Sequence, residues 1–220
     1  PLIYFATQGA SALYYRSAIE QAGKGQLELS YRLLAKAARL TPMADSVLAT
    51  HADLVRHLLQ AATIATEQDK KILYDYALDL LARAERLNPL RPQTCLTRGQ
   101  LYQYNPALSG AGWAAGAEAQ YRRALALDPR YYQARTQYAT LLLPQGRLQE
   151  ARQMLEAGMP YTYLESTELF TYYDLTRQVV ELTGDTRQAK LIADQLQAMI
   201  KVSQERLAAT KDNSKGVKLN

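Results

Sequence analysis

The sequence predicts an all-α protein, a right-handed α-solenoid of about five helix-turn-helix units. Three observations carry this reading. Roughly a third of the 220 residues are Ala or Leu, while Val and Ile together number about a dozen; that balance favours helix, because β-branched side chains are what pleated surfaces select. An Ala-rich run closed by proline recurs as Ala37 to Pro42, Ala84 to Pro89 and Ala124 to Pro129, each Ala five positions before its Pro. A glycine followed five residues later by a small residue also recurs, as Gly25 and Ser30, Gly146 and Ala151, Gly184 and Ala189. The first block holds both phrases in one frame, which makes each a stronger sign of an internal repeat.

Taken in order, residues 1–10 read as an apolar lead-in, with Leu2, Ile3, Tyr4 and Phe5 consecutive and no charge before Arg16. Units then fall near 11–44, 45–91, 92–131, 132–165 and 166–203. Gly25, Gly146 and Gly184 stand where the first helix of a pair ends in a left-handed residue. Pro42, Pro89 and Pro129 stop the second helix, which proline cannot continue. Ala18, Ala52, Gly99, Ala139, Ala151 and Ala189 are small enough to let paired helices approach. Tyr14, Tyr74, Tyr102, Tyr121, Tyr138 and Tyr173 fill the space beside them. The second unit is too long, with extra turns expected in Leu54 to Lys71. The third carries an insertion, Asn105 to Gly112, between its helices, and Gly110 to Gly116 is expected to be a flexible inter-helix loop. The fifth lacks a closing proline and ends in a long helix, as a terminal cap would. Residues 204–220 read as its end and a disordered basic tail.

This pattern resembles the tetratricopeptide repeat, a helix-turn-helix unit of about 34 residues. The resemblance covers Ser11 to Ser203, and the fourth unit matches best, through Tyr138, Ala139, Leu142, Gly146, Leu148, Ala151 and Leu155. It implies a concave groove lined by one face of each first helix. Those positions are Tyr15 and Ile19, then Ala49, Asp53 and Arg56, then Leu96, Gln100 and Gln103, then Thr136, Thr140 and Leu143, then Asp174 and Gln178. The groove lacks the Lys, Arg and Asn cluster with which cochaperones of this family clamp a carboxylate. Its Gln, Thr and aromatic lining suits an extended peptide or a polar polymer. Trp113, Tyr161, Tyr163 and Tyr172 lie outside the packing register, as aromatic contacts for a partner such as a glycan or as fillers of their own loops.

Much of the chemistry is excluded. One Cys permits no intramolecular disulfide or Cys-built zinc site. His51 and His57 cannot chelate jointly from one helix, so no metal or cofactor site is expected. Gly110, Gly112 and Gly116 have a spacing one residue too long for a dinucleotide fingerprint and follow a helix rather than a strand. Cys95 reads as a buried structural thiol, and one or both His as surface or inter-helix polar residues. The formal charge of +5 comes largely from Lys201, Arg206, Lys211, Lys215 and Lys218 against Glu205 and Asp212. A nucleic-acid binder would carry its basic stripe on the folded part. The chain therefore reads as a non-catalytic interaction scaffold for a protein or peptide, and not for nucleic acid. Its layout also resembles the soluble periplasmic tails of bacterial O-antigen ligase and polymerase-like membrane proteins, which implies a membrane tether before Pro1. A free-standing peptide-binding adaptor in the cytoplasm is the alternative.

Overall fold

The computed structural model describes residues 2–41, 44–60, 66–159 and 167–216. Every regular element among them is helical. The helices are α1 (Leu2–Gly23), α2 (Leu27–Leu40), α3 (Asp45–Gln60), α4 (Glu67–Leu87), α5 (Pro92–Tyr104), α6 (Pro106–Ser109), α7 (Trp113–Leu127), α8 (Tyr132–Leu142), α9 (Leu148–Glu156), α10 (Thr167–Leu182) and α11 (Thr186–Gly216). They pair as α1 with α2, α3 with α4, α5 with α7, α8 with α9, and α10 with α11. The chain divides into two compact units, Pro1–Asp128 and Pro129–Asn220.

The punctuation acts as the sequence predicts where it is described. Gly25, Gly146 and Gly184 all have left-handed φ, at 75°, 72° and 88°. A side chain there would be strained, so glycine ends the first helix of pairs one, four and five. Helices α4 and α7 stop two residues before Pro89 and Pro129. The Asn88 and Asp128 amides close those helices by donating to the carbonyls of Ala84 and Ala124, each at 2.9 Å. Pro42 lies outside the described residues. The start of α4 is capped by Thr66, whose hydroxyl oxygen accepts from the Asp69 amide at 3.1 Å.

In the first unit, small residues set the helix spacing. Ala18, Ala37, Ala52, Ala77 and Ala84 are fully buried. Around them Leu48, Val55, Tyr74, Leu80, Leu81 and Leu101 form one core cluster, and Ala18, Leu34 and Leu54 a second. Ser30 replaces an alanine at such a site and stays satisfied by donating to the Ala18 carbonyl at 2.7 Å. Ser11 reaches across the same pair, donating to the Ala37 carbonyl at 3.1 Å and lying 2.6 Å from the Thr41 hydroxyl. Asp45 ties the start of α3 to the turn after α4, accepting from Asn88 at 2.9 Å and from Arg91 at 2.7 Å. Glu85 of α4 joins α5 and α7 through Arg98, at 2.8 Å, and Arg123.

The second unit repeats the scheme. Tyr138, Ala139, Leu142, Ala151 and Leu155 are buried between α8 and α9, and Val179, Val180, Ala189 and Ile192 between α10 and α11. Arg152 of α9 reaches the turn between α10 and α11, donating to Thr183 and Asp185 at 2.8 Å each.

Three boundaries differ from those expected. The lead-in is the first part of α1, which runs unbroken from Leu2. In the second repeat α3 reaches Gln60 and α4 starts at Glu67. Of the expected loop Gly110 to Gly116, the part from Trp113 onward belongs to α7. Pro106 to Ser109 form a short helix, Ser109 lies 2.7 Å from the Tyr74 hydroxyl, and Leu108 packs on the core. Helix α11 carries on through Lys211 to Gly216, because nothing before that glycine breaks it.

Candidate functional site

The first helices of the repeats are α1, α3 and α5 in one compact unit and α8 and α10 in the other. In the first unit Tyr15 is half-buried, and its hydroxyl lies 3.1 Å from that of Thr50, bridging α1 to α3. Tyr15 and Ile19, with Arg16 and Glu20, line an open depression of about 550 Å³. Gln100 and Gln103 are half-exposed on α5. Gln103 is oriented from behind, because the Tyr121 hydroxyl donates to its Oε1 at 2.6 Å. Tyr121 itself is completely buried, and burial pushes its phenol well above the ordinary range. It fits only because Gly99 lacks a side chain: a β-carbon there would lie 2.6 Å from the ring.

The charged members of the α3 face form a closed set. Arg56 donates from Nε to Asp53 Oδ1 at 3.0 Å and from Nη1 to Gln60 Oε1 at 3.1 Å. Its Nη2 lies 2.7 Å from His57 Nε2. Burial acts to raise the Asp53 carboxyl, but the adjacent His57 ring, 3.6 Å away, and the Arg56 charge together hold it below the ordinary carboxylate value. Helix α10 repeats the arrangement. Arg177 donates to Asp174 at 3.1 and 2.9 Å and to Glu181 at 3.0 Å, and Gln178 donates to Asp174 at 2.7 Å. Gln60 and Glu181 belong to these sets without being among the expected groove positions. The signal for them is plain in the sequence: Asp53-Leu54-Val55-Arg56 with Gln60 matches Asp174-Leu175-Thr176-Arg177 with Glu181, residue for residue in spacing.

On α8, Thr136 donates to the Tyr132 carbonyl at 3.0 Å and Thr140 to the Gln137 carbonyl at 2.8 Å. Their hydroxyl protons are therefore committed to their own helix. Leu143 is half-buried in the one-turn 3₁₀ segment Leu143–Gln145 that follows α8.

Several expected positions belong to the interior. Leu96 is 3% exposed and Ala49 1%, so both are packing residues with no surface to offer a partner. Arg56 is 6% exposed, and it acts inside its own ion set. Tyr172, expected outside the packing register, is completely buried: its hydroxyl donates to the Leu155 carbonyl, and its ring meets those of Tyr132 and Tyr173. Trp113 is half-buried at the first turn of α7. Tyr161 and Tyr163 lie outside the described residues. Cys95 is 3% exposed, and burial pushes its thiol up. Among the described residues no group of three His, Cys, Asp or Glu could hold a metal ion, and no helix is long and apolar enough to cross a membrane.

Comparison with known proteins gives a consistent picture of the fold. Residues 108–164 match the sequence profile of the tetratricopeptide repeat. No curated protein matches the chain in sequence. Among solved structures it is similar to a thermophilic TPR protein of Thermus thermophilus, with 13% identity and a TM-score of 0.64 over 92% of this chain and 98% of that one. It is similar also to the MamA 41-end chain of Desulfovibrio magneticus, with 13% identity and a TM-score of 0.57 over 88% of this chain and 96% of that one. A further MamA structure has 14% identity and a TM-score of 0.54 over 96% and 98% of the two chains. The chain thus has the helix-turn-helix fold of tetratricopeptide solenoids, with a recognisable repeat sequence at 108–164.

Proposed function

We propose that this chain is a non-catalytic interaction scaffold that holds an extended peptide segment of a partner protein on the first-helix face of its first compact unit. The observation that supports this is the chemistry of α3: Asp53 is neutralised in place by Arg56, which also donates to the amide oxygen of Gln60. Such a face offers hydrogen bonds to a peptide backbone without demanding a charge from it, since an uncompensated charge is what would select one. On α10 the matching Arg177 is shared by Asp174 and Glu181, which leaves one negative charge there.

Selection from a library of uncharged and charged peptides, followed by calorimetry, tests this reading. The expected result is a preference for uncharged peptides, weakened at least tenfold by Gln100→Ala and unchanged by Arg122→Ala on α7. Equal weakening by both variants would sink it. The narrower reading, a periplasmic tail of a glycan-assembling membrane protein, rests on the uncharged Pro1 to Tyr15 and is a separate proposal. Several long apolar spans encoded upstream would support it, and a nearby start codon would exclude it.

A further inference from the structure

His51 points inward from α3 and is completely buried. Its imidazole lies between two tyrosine rings supplied by the neighbouring helices. Tyr31 of α2 stands 5.2 Å away between centroids, tilted by 60°, and Tyr76 of α4 stands 5.4 Å away, edge-on at 80°. Neither imidazole nitrogen has a hydrogen-bond partner among the described residues. Buried polar atoms are normally paired, so an orphaned pair on one ring needs a physical account.

A neutral imidazole can sit there as an aromatic ring, edge to face with its neighbours. An imidazolium cannot sit there without large cost. It would present two N–H donors and a full charge to a site where, among the described residues, it meets tyrosine rings and no hydrogen-bond acceptor. The titratable and charged groups around it are Tyr31 and Arg39 from α2 and Tyr76, Asp79 and Arg83 from α4, the arginines and Asp79 acting at the Tyr76 hydroxyl. Burial is what holds the imidazole down, to about 4 from an ordinary 6.5.

Next along the chain, Thr50 makes the α1 to α3 contact through Tyr15. Two residues beyond His51, Asp53 begins the ion set of the α3 face. The ring therefore lies where α2, α3 and α4 meet, directly behind the face that α3 presents.

We propose that His51 is an acid-operated joint: its protonation separates α3 from α2 and α4 and undoes the seating of the first-helix face in the first unit. The folded form binds its proton more weakly than the opened form, so the joint is intact above the opened value and weakens as pH falls from 6.5 toward 4. At pH 5 the linkage amounts to about thirty-fold in the opening equilibrium. Release of a bound partner on acidification would rest on the scaffold reading; the joint itself does not.

Amide hydrogen exchange on the full chain at pH 7.5 and pH 5, corrected for intrinsic exchange rates, tests the joint without any partner. In the wild type, protection across α2, α3 and α4 should fall about thirty-fold further than in His51→Phe, which keeps an aromatic ring and cannot titrate. Should that variant not fold, His51→Gln serves the same purpose with a neutral side chain. Parallel loss of protection in wild type and in the variant that folds, or no loss in wild type, would overturn the proposal. Because the measurement uses no peptide, its outcome is independent of whether the scaffold reading survives.

Discussion

Arg135 crosses the bare α-carbon of Gly158 to reach the last turn of α9. Its Nη1 donates to the Met154 carbonyl at 2.6 Å, and Nε and Nη2 donate to the Pro129 carbonyl at 3.2 and 2.9 Å. A β-carbon on Gly158 would stand 2.7 Å from Arg135 Nε and would collide with its δ-carbon and with the Tyr172 hydroxyl. A cation at a helix C-terminus is favourable, and the geometry of all three hydrogen bonds depends on that one glycine.

Gly158→Ala should therefore destabilise the chain, by about 1–3 kcal/mol, the usual cost of forcing an extra methyl into a packed site. Neither obstructing side chain can swing aside cheaply. Arg135 is pinned by its three hydrogen bonds, and the Tyr172 hydroxyl is engaged at Leu155. Urea denaturation followed by circular dichroism measures the difference. An unchanged midpoint would mean the corner is loose.

The same substitution should have opposite signs on α1 and α5. Gly9 lies in α1 with nothing within 4 Å of an added β-carbon. There Ala brings only its helix propensity, and Gly9→Ala should stabilise by about 0.5–1 kcal/mol. On α5, Gly99 faces the fully buried Tyr121 ring at 2.6 Å, so Gly99→Ala should cost about 1–3 kcal/mol despite the same propensity gain. Thermal melts of the two variants against wild type check the pair. A gain at Gly99 would contradict the packing described here.

This contrast separates what is legible in the sequence from what is not. Repeat punctuation is legible because glycine at positive φ and proline after a helix are local requirements, met by Gly25, Gly146, Gly184, Pro89 and Pro129 wherever they stand. The small-residue sites are legible because Ala18, Ala139 and Ala151 recur in register. Burial of Tyr172 and Arg56 is not legible. A long polar-tipped side chain can lie inward or outward from the same helical position, and the choice depends on acceptors in its surroundings, the Leu155 carbonyl for one and Asp53 with Gln60 for the other. The structure of the insertion after Asn105 is not legible for a similar reason. Its order comes from Tyr74, some thirty residues earlier in sequence, and no local pattern announces that contact.

Acid should act on the chain in a second window, below that of His51. Burial raises the Asp45 carboxyl, but the hydrogen bonds from Asn88 and Arg91 outweigh it and hold the group below its ordinary 3.8. Since the folded value is depressed, this stabilisation is present above 3.8 and is lost as pH falls through the folded value. Asp45→Asn should lower stability at pH 7 by about 1 kcal/mol, a modest figure because both partners are partly exposed. The gap from wild type should close as pH drops below 3.8. Melting temperatures at a series of pH values show whether it does; a gap constant with pH would assign the loss to shape rather than charge.

The two matched ion sets should differ in energetic weight because they differ in burial. The Arg56 side chain is 7% exposed beside an Asp53 at 30%, whereas Arg177 and Asp174 are 29% and 45% exposed. Removing Arg56 leaves a half-buried carboxylate short of its main donor, and Arg56→Met should cost about 1–3 kcal/mol. Water can replace Arg177, so Arg177→Met should stay within about 0.5 kcal/mol of wild type. Adding Asp53→Asn to Arg56→Met should recover part of the loss, because the stranded charge is then gone. A double-mutant cycle in urea measures all three quantities. Equal costs at the two arginines would show that burial does not govern these pairs.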